Sequence, residues 1–345
     1  MKNNQTYKVI AEWVKAISIS FIVVLIIRTF LFEVSSVNSP SMEKSLLTGD
    51  FIIINKLSYG PRIPKTVLSI PFINQNYYSE LFSLPYLRLS TNLGVERNDV
   101  VVFNYPQEDE YPTDHRTYFV KRCVGIPGDS IKIENGKTYI NNKLTADNEN
   151  YQFNYHLKST KILDSSYLAS YQIYEGGQIS ENKDYSFTLT NQLYDTLKSK
   201  NYVSVIEKQT EQKDMWDEFV FPYNEHYKWN VDHFGALKVP QKGDIIKLDT
   251  TNLCLYERII SVYEQQKLQL KKGIIYINEV ATTTYTIQQN YYFMMGDNRH
   301  NSQDSRHWGF VPEDHIIGKA TRIAFSIDKL FGNGIRWNRI FSTIK

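Results

Sequence analysis

The feature that most constrains this chain is a run of apolar residues near its N-terminus. Residues 16–27 (AISISFIVVLII) carry no charge, and Arg28 follows them. Twelve helical residues span about 18 Å, which is shorter than a bilayer core of about 30 Å. Trp13 and Lys15 before the run, and Arg28 with Phe30 and Phe32 after it, extend it by snorkelling and interfacial anchoring. The run therefore predicts an uncleaved membrane anchor.

Two alternatives compete with an anchor. A cleaved signal peptide has the same charged start and apolar run, and Ser36 after Val34 is a candidate cleavage position. A buried core helix is the second alternative. The anchor is favoured because Arg28 lies inside the apolar stretch, which FLFE then continues.

Positive charge is distributed unevenly around this segment. Lys2, Lys8 and Lys15 precede it, whereas the basic residues soon after it are opposed by Glu33 and Glu43. The positive-inside rule therefore predicts a cytoplasmic N-terminus, with the chain beyond about residue 33 on the outer side.

Composition excludes several other classes of protein. Hydrophobic residues make up 42% of the chain and charged residues 22%, which argues against a disordered chain and against a multi-span membrane protein. The net charge of +2 gives no indication of nucleic-acid binding. Two cysteines cannot build a disulfide framework or a four-sulfur zinc site. A disulfide between Cys123 and Cys254 is chemically permitted outside the cytoplasm, but their spacing does not establish it.

Apolar segments predict a mainly β fold with interruptions. The predicted strands cover 51–55, 99–105, 117–124, 130–142, 244–248, 253–263, 267–278 and 291–295. Residues 61–95, rich in Pro and aromatic residues, are predicted to form an irregular excursion, which contacts lipid in one interpretation and packs on itself in the other.

The middle of the chain differs in composition from both flanks. Residues 145–238 are polar and rich in Tyr and Asn, and one helix is predicted over 191–199 after Thr190. No motif there indicates a binding partner. We predict four regions: cytoplasmic N-terminus and anchor (1–34), first part of a catalytic core (35–144), inserted subdomain (145–238) and second part of the core (239–345).

A weak internal sequence similarity, called the internal echo below, relates three segments in the first part of the core to three in the second. The segments at 99–104, 120–125 and 136–142 resemble those at 244–249, 256–261 and 273–279. Chance recurrence of strand patterns is the alternative to a true duplication. If the duplication is real, Glu257 takes the place of Lys121 in the second copy.

Serine chemistry is suggested by the segment SPSMEKSL at 39–46. A serine hydroxyl is a poor nucleophile unless a base removes its proton. The seven histidines lie in no recognisable hydrolase motif and have no convincing metal-ligand spacing, and the chain has no G-x-S-x-G elbow. Lys121, within the apolar segment YFVKRCVG at 118–125, is the more interesting candidate base.

Lys121 can act as a base only while its amine is uncharged. At the ordinary lysine pKa near 10.4, about 0.1% of the amine is neutral near pH 7.4. Burial penalises the ammonium form, and a three-unit shift costs about 4 kcal/mol, which a packed site can supply. A solvent-facing lysine on a strand is the alternative, and position alone does not decide.

Four ordered segments together resemble the bacterial type I signal peptidases. They are SPSM at 39–42, DVVVF at 99–103, YFVKRCVGIPGD at 118–129, and GDNRHNSQDSR at 296–306 followed by WGFVPE. The match covers most of the chain in order, outside 61–95 and 145–235. The resemblance implies a mainly β fold, in which an antiparallel catalytic core has an N-terminal transmembrane helix and an inserted α+β or β subdomain.

The resemblance also implies a role for individual residues. Ser41 matches the nucleophile and Lys121 the general base, while Ser39 and the Ser41 backbone N–H match the oxyanion hole. Ser302 matches the residue that orients the lysine. Met42 has three open roles, which are contact with lipid, contact with substrate, and simple packing. The structural ion pairs of the family are matched by Asp297, Arg299, Asp304 and Arg306.

Four positions depart from the common family pattern. Pro40 stands where Gly is frequent, Lys44 where Pro is common, Ser45 where Thr is common and His300 where Asp is usual. These departures affect loop rigidity and local charge, because none falls on the nucleophile, the base or the lysine-orienting residue. Separately, the aromatic residues at 308 and 310 are expected in the core or facing the membrane.

The function implied is a membrane-anchored serine endopeptidase that removes signal peptides from exported preproteins after Ala-x-Ala-type sites. The resemblance implies a Ser-Lys dyad with no metal or cofactor. Expected partners are secretory preproteins and membrane lipid, and not nucleic acid. The expected location is the bacterial inner membrane, with a single span and a periplasmic catalytic domain.

Two other functions compete with this one. A self-cleaving Ser-Lys regulator needs a DNA-binding N-terminal domain, for which the apolar segment leaves no room. A catalytically inactive, anchored β-domain is the second rival, and the joint presence of Ser41, Lys121 and Ser302 argues against it.

Overall fold

The computed structural model describes residues 2–69, 78–89, 94–328, 332 and 334–345. Parts of the predicted excursion, residues 70–77 and 90–93, lie outside the described residues. In chain order the strands are β1 (Phe32–Ser36), β2 (Asp50–Asn55), β3 (Thr66–Ser69), β4 (Tyr78–Ser83), β5 (Val100–Asn104), β6 (Tyr118–Gly125), β7 (Ser130–Glu134), β8 (Lys137–Ile140), β9 (Lys143–Leu144), β10 (Gln152–Ser159), β11 (Gly176–Ser180), β12 (Asp184–Thr190), β13 (Val203–Lys208), β14 (Phe234–Lys238), β15 (Ile245–Lys247), β16 (Leu268–Lys271), β17 (Ile274–Ile277), β18 (Val280–Ala281), β19 (Thr284–Thr286), β20 (Tyr291–Met295), β21 (Val311–Pro312) and β22 (Ile316–Ser326). The α-helices are α1 (Lys2–Phe30), α2 (Ser165–Ser170), α3 (Asn191–Lys198), α4 (Leu253–Arg258) and α5 (Ser305–Trp308).

Helix α1 is longer than the apolar run alone. Its apolar part covers Tyr7–Phe30, 24 residues, which corresponds to about 36 Å and is enough by length to cross a bilayer core of about 30 Å. None of the most apolar window is buried inside the protein, so the buried core helix is not what the structure shows. Lys56 Nζ donates to the Arg28 carbonyl at 2.8 Å and so ties the end of α1 to the first sheet.

The sheet that carries the candidate site has seven strands in the described part of the chain, in the order β1-β2-β22-β5-β6-β20-β21. All its pairings are antiparallel. Every residue of β5 is buried, as expected of an apolar central strand, whereas β2 alternates buried and half-buried positions. The predicted fold, a mainly antiparallel β chain with an N-terminal apolar helix, is confirmed.

Pairing across this sheet places Lys121 in one row with the start of β1. Lys121 lies opposite Val101, Val101 opposite Lys319, Lys319 opposite Asn55, and Asn55 opposite Phe32. Phe32 follows α1 almost immediately, so Lys121 lies at the end of the sheet that is nearest the apolar helix.

The strand predicted at 253–263 is wrong. This segment forms α4 and a following π-helical turn, Ile259–Tyr263. The buried positions Leu255, Ile259 and Tyr263 are four residues apart, which is a helical period. The β-branched residues Ile259, Ile260 and Val262 favoured the strand prediction, and tertiary packing outweighed that preference.

The internal echo holds in one place and fails in another. Strands β7–β9 and β16–β18 both form three-stranded antiparallel meanders. The first turn of each has two residues with positive φ, Asn135-Gly136 and Lys272-Gly273, the geometry of a type I′ hairpin. By contrast, residues 120–125 form a strand whereas 256–261 are helical.

The middle of the chain forms its own sheet, with strand order β11-β12-β10-β13. Its core contains Phe153, Leu157, Phe187 and Leu197. The predicted helix is confirmed as α3, and its N-cap Thr190 accepts a hydrogen bond from Leu193 N. Strand β14 also lies within the predicted insert but pairs with β7 outside it.

The described part of the excursion contains the β3–β4 hairpin rather than wholly irregular chain. Leu81 and Phe82 on it are exposed, and its contact with lipid stays a prediction. Cys123 and Cys254 are both free thiols, and Cys123 is fully buried, so the structure does not contain the disulfide that was left open.

Candidate active site

The candidate nucleophile lies on a short 3-10 turn, Pro40–Met42, between β1 and β2. Pro40 suits the first position of a helical turn, because its fixed φ matches and its missing N–H has no partner to lose. Ser41 is buried apart from 6% of its surface. Met42 is completely buried and packs in a core cluster with Leu46 and Ile52. Of the roles left open for Met42, the structure shows packing, because a side chain with no exposed surface cannot contact lipid or substrate.

Lys121 approaches Ser41 from β6. Its Nζ lies 2.7 Å from Ser41 Oγ and 3.3 Å from the Val120 carbonyl oxygen. The lysine is 3% exposed, and its Nζ lies 5.3 Å from the centre of the Phe119 ring. Eighty residues of sequence separate the two side chains, and the antiparallel sheet brings them into contact.

Burial lowers the pKa of Lys121 to about 8, against the attraction of the Asp304 and Asp297 carboxylates, which favour the charged form. Desolvation is the largest influence, as expected for an amine enclosed by apolar groups. A pKa near 8 leaves about a tenth of the amine uncharged at pH 7, against a few parts in ten thousand for an ordinary lysine.

Two further serines lie close to this pair. Ser39 Oγ is 3.1 Å from Ser41 Oγ. Ser302 is buried, and a Cβ added to Gly296 would collide with both Ser302 Oγ and the Ser41 carbonyl oxygen. Within the described residues, the hydrogen bond of Ser302 Oγ is to the Gln303 carbonyl at 3.4 Å rather than to Lys121. Its role in orienting the lysine therefore stays a prediction.

Two buried ion pairs flank the site, and one differs from expectation. Asp297 binds Arg122 through two hydrogen bonds of 2.8 and 2.6 Å, with both side chains almost fully buried. Arg299 instead donates to Thr138 Oγ1 at 3.0 Å and lies over the Tyr151 ring, with no ion pair among the described residues. The prediction that Arg299 belongs to an ion pair is wrong, because the next residue after Lys121 supplies the guanidinium.

The second pair joins Asp304 and Arg306 on the segment that carries Ser302. Arg306 binds the carboxylate at 2.9 and 2.8 Å. Burial alone would raise the pKa of Asp304, but Arg306 outweighs it and holds the pKa at about 2. Trp308 and Phe310 are each 2% exposed, so both belong to the core rather than to a membrane-facing surface.

Comparison of the sequence with known proteins shows which family the chain belongs to. The model of the family described as "Signal peptidase, peptidase S26" matches residues 10–191 and 188–325. The chain belongs to the S26 signal peptidase family. It is a serine peptidase, and therefore a hydrolase.

Individual family members show how far the similarity extends. Signal peptidase I of Buchnera aphidicola from Schizaphis graminum is 32% identical over 93% of this chain and 78% of its own length. The corresponding protein of Haemophilus influenzae is 26% identical over 94% of this chain and 72% of its own. Signal peptidase I of Aquifex aeolicus is 26% identical over 88% and 79%.

Three of the four departures from the family pattern make specific side-chain hydrogen bonds in this S26 member. Ser45 Oγ donates to Asp297 at 2.5 Å. Lys44 has a positive φ of 71° and its Nζ donates to the Gln172 carbonyl at 2.7 Å. His300 Nε2 lies 2.9 Å from Asp232, and its Nδ1 accepts a hydrogen bond from Asn154 N at 3.0 Å. Lys44 and His300 therefore both contact the predicted insert.

Arg122 is the residue that sequence reasoning missed, and its pairing predicts a large effect on stability. Asp297→Asn removes one charge of a buried pair and leaves the other uncompensated, which destabilises a protein by about 3 kcal/mol. Urea unfolding of the full chain in detergent measures this loss.

The matched control is Glu134→Gln, which breaks the half-exposed pair with Lys132. Exposed pairs contribute little to stability because water screens their charges, so we expect a clearly smaller loss than for Asp297→Asn. Equal losses in the two variants would contradict the assignment of the Arg122–Asp297 pair as a structural support of the site.

Proposed function

We propose that this S26 member removes N-terminal signal peptides from exported preproteins, cutting after small residues of the Ala-x-Ala type with a Ser41–Lys121 dyad. The observation that carries the proposal is the 2.7 Å contact between a buried, pKa-lowered Lys121 amine and Ser41 Oγ. No other candidate base stands in a recognisable hydrolase motif in the sequence.

The reaction begins with proton transfer from Ser41 to neutral Lys121. Ser41 Oγ forms a bond to the scissile carbonyl carbon, and the carbonyl π electrons move onto its oxygen. The Ser41 backbone N–H and the Ser39 hydroxyl stabilise this oxyanion, each donor contributing about 3 kcal/mol. Ser39 Oγ is already 3.1 Å from Ser41 Oγ.

The oxyanion then collapses and the peptide C–N bond breaks. Protonated Lys121 gives its proton to the departing amine, which leaves as the new N-terminus of the mature protein. Lys121, again neutral, activates water, whose attack on the ester releases the signal peptide with a free carboxylate and restores the Ser41 hydroxyl. Ser302 is proposed to keep the lysine amine directed at Ser41 during both steps.

The location of the site suits a substrate held in a membrane. We propose that α1 anchors the chain in the bacterial inner membrane, with its N-terminus in the cytoplasm and the catalytic sheet on the periplasmic side. Lys121 shares a cross-strand row with Phe32, close to the end of α1. Anchoring enzyme and preprotein in one bilayer raises their effective concentration.

An extended preprotein segment pairing with a strand edge accounts for the preference for small residues. Its backbone makes the hydrogen bonds, while alternate side chains at −1 and −3 point towards the enzyme surface. Small side chains are accepted there because a large one cannot enter a shallow pocket.

The test uses the full-length, detergent-solubilised chain and a model preprotein whose signal peptide ends in Ala-x-Ala, and it measures cleavage of that preprotein. We expect one cut directly after the second Ala, identified by N-terminal sequencing of the product. A preprotein with Phe at −1 serves as the matched control and is expected to remain uncut. Failure to cut the first substrate, or equal cutting of both, would overturn the proposal and favour an inactive anchored scaffold.

A further inference from the structure

The predicted insert reaches the nucleophile segment through one loop. Residues 172–175, between α2 and β11, contact the nucleophile segment through Lys44 and the neighbouring segment at 298–301 through Glu175. Lys44 Nζ donates to the Gln172 carbonyl at 2.7 Å. Glu175 Oε2 accepts hydrogen bonds from Asn298 Nδ2 at 2.8 Å and from Asn301 Nδ2 at 3.3 Å.

Asn298 links this loop to Ser41. Its backbone N–H donates to the Ser41 carbonyl at 3.1 Å, and its Nδ2 also lies 3.3 Å from the Pro40 carbonyl oxygen. Residues 297–299 also contact the insert on their other side, where Gln152 exchanges backbone hydrogen bonds with Asp297 and Arg299, both of 2.9 Å. The segment is therefore held between the nucleophile turn and the first strand of the insert.

The Asn298 side chain has only one favourable orientation. It is completely buried, and within the described residues its Oδ1 has no hydrogen-bond partner. A buried amide oxygen without a partner costs free energy. The hydrogen bond that Asn298 Nδ2 donates to the Glu175 carboxylate compensates for part of this cost, because bonds to a carboxylate are stronger than bonds to a neutral acceptor. Turning the amide over would place Oδ1 against Glu175 and the Pro40 carbonyl oxygen, two acceptors. Glu175 therefore fixes the orientation of Asn298.

The same carboxylate restrains the segment that carries Ser302. Asn301 directly precedes Ser302, and its backbone N–H donates to the Asn298 carbonyl at 3.1 Å. One Glu175 oxygen thus holds two amides, one beside Ser41 and one beside Ser302. Glu175 lies in the insert, 134 residues after Ser41 in the sequence, and none of the four family segments includes it.

We propose that Glu175 is a positioning residue for peptide-bond cleavage: it binds Asn298 and Asn301 together and so holds the Ser41 turn and the Ser302 segment in register. The proposal rests on the proposed function, since it assumes that Ser41 is the nucleophile. This proposal gives the insert a role in the reaction, because its Glu175 restrains the position of the nucleophile turn through Asn298.

The test compares Glu175→Ala, Glu175→Gln and the control Glu181→Ala in the full-length chain with the Ala-x-Ala preprotein. Glu181 is an exposed glutamate of the same insert. We expect Glu175→Ala to lower kcat about tenfold to a hundredfold with little change in KM, because a displacement of about 1 Å at the reacting atoms has effects of this size. Glutamine keeps an acceptor oxygen, so Glu175→Gln is expected to recover most of the rate, and Glu181→Ala to match the wild type.

A double-mutant cycle separates positioning from general destabilisation. Asn301 is exposed, so Asn301→Ala leaves the core intact, and we expect it to slow cleavage about threefold to tenfold. In the Glu175→Ala background it should add nothing, because the shared hydrogen bond is already lost. If Glu175→Ala fails to fold, Glu175→Leu provides the background, because leucine fills similar space and also lacks the acceptor oxygen.

Three outcomes would overturn the inference: Glu175→Ala within twofold of the wild type, glutamine no better than alanine, or additive effects of Glu175 and Asn301. Ser41→Ala is assayed beside them. If Ser41→Ala is inactive while Glu175→Ala is normal, the inference alone fails. If Ser41→Ala remains active, the proposed function fails as well.

Discussion

Ser41→Ala is expected to slow cleavage of the Ala-x-Ala preprotein by roughly 10⁴-fold or more, because no covalent intermediate can form without the hydroxyl. The methyl group of alanine fills part of the same buried space, so the 3-10 turn and the core around Met42 should stay in place. Single-turnover cleavage at saturating preprotein measures the effect, and a thermal scan shows whether folding is preserved.

The matched control is Ser36→Ala, five residues earlier on β1. It changes the same side chain away from Lys121, and we expect a rate within about twofold of the wild type, as for substitutions outside a site. If Ser41→Ala keeps more than about a tenth of the wild-type rate, another residue is the nucleophile.

Lys121→Met is expected to lower kcat by roughly 10²- to 10⁴-fold, the range for loss of a general acid–base group. Methionine keeps the apolar stem in its buried position and removes the amine. Lys121→Arg should not restore the rate, because a guanidinium stays charged and cannot accept the Ser41 proton. Preprotein cleavage at pH 8 compares the three proteins.

Lys132→Met on β7 provides the control for removal of a lysine from a strand. Lys132 is partly exposed and pairs with Glu134, so its loss should leave cleavage unchanged. Activity of Lys121→Arg equal to that of the wild type would contradict the dyad, since a permanently charged group would then suffice.

The sequence predicted four strands of the sheet that carries the candidate site, β2, β5, β6 and β20, because their signals are local, but it did not predict β1, β21 or the 11-residue β22. The runs at β5 and β6 are apolar and bounded by turns, so they were predicted as strands without reference to the rest of the chain. Burial of Lys121 did not follow from its position, since a solvent-facing lysine on the strand was the stated alternative, and the structure shows the side chain to be buried. The contact with Ser41 could be anticipated only through the resemblance to signal peptidases, because spacing alone does not locate residues 80 positions apart.

Two misjudged features have separate physical causes. In α4 and the turn after it, β-branched side chains favoured a strand, while the buried positions four residues apart followed a helical period. Arg122 was overlooked because adjacent residues of a strand point to opposite faces, and its partner Asp297 lies 175 residues away. Pairings between distant segments, including those of Glu175 with Asn298 and Asn301, leave no pattern in a single sequence.

The central claim is that burial keeps a useful fraction of the Lys121 amine uncharged near neutral pH, and the pH profile of kcat/KM tests it most directly. Burial lowers the pKa of Lys121 to about 8, so the rate should rise tenfold per pH unit below about pH 8 and level off above it. Burial also raises the pKa of Glu43 to about 7, with Glu175 adding to the shift and Lys44 opposing it, so Glu43→Gln must be measured in parallel. The account predicts that the inflection near pH 8 persists in Glu43→Gln. An inflection that vanishes in Glu43→Gln, or a rate that keeps rising beyond pH 10, would contradict it.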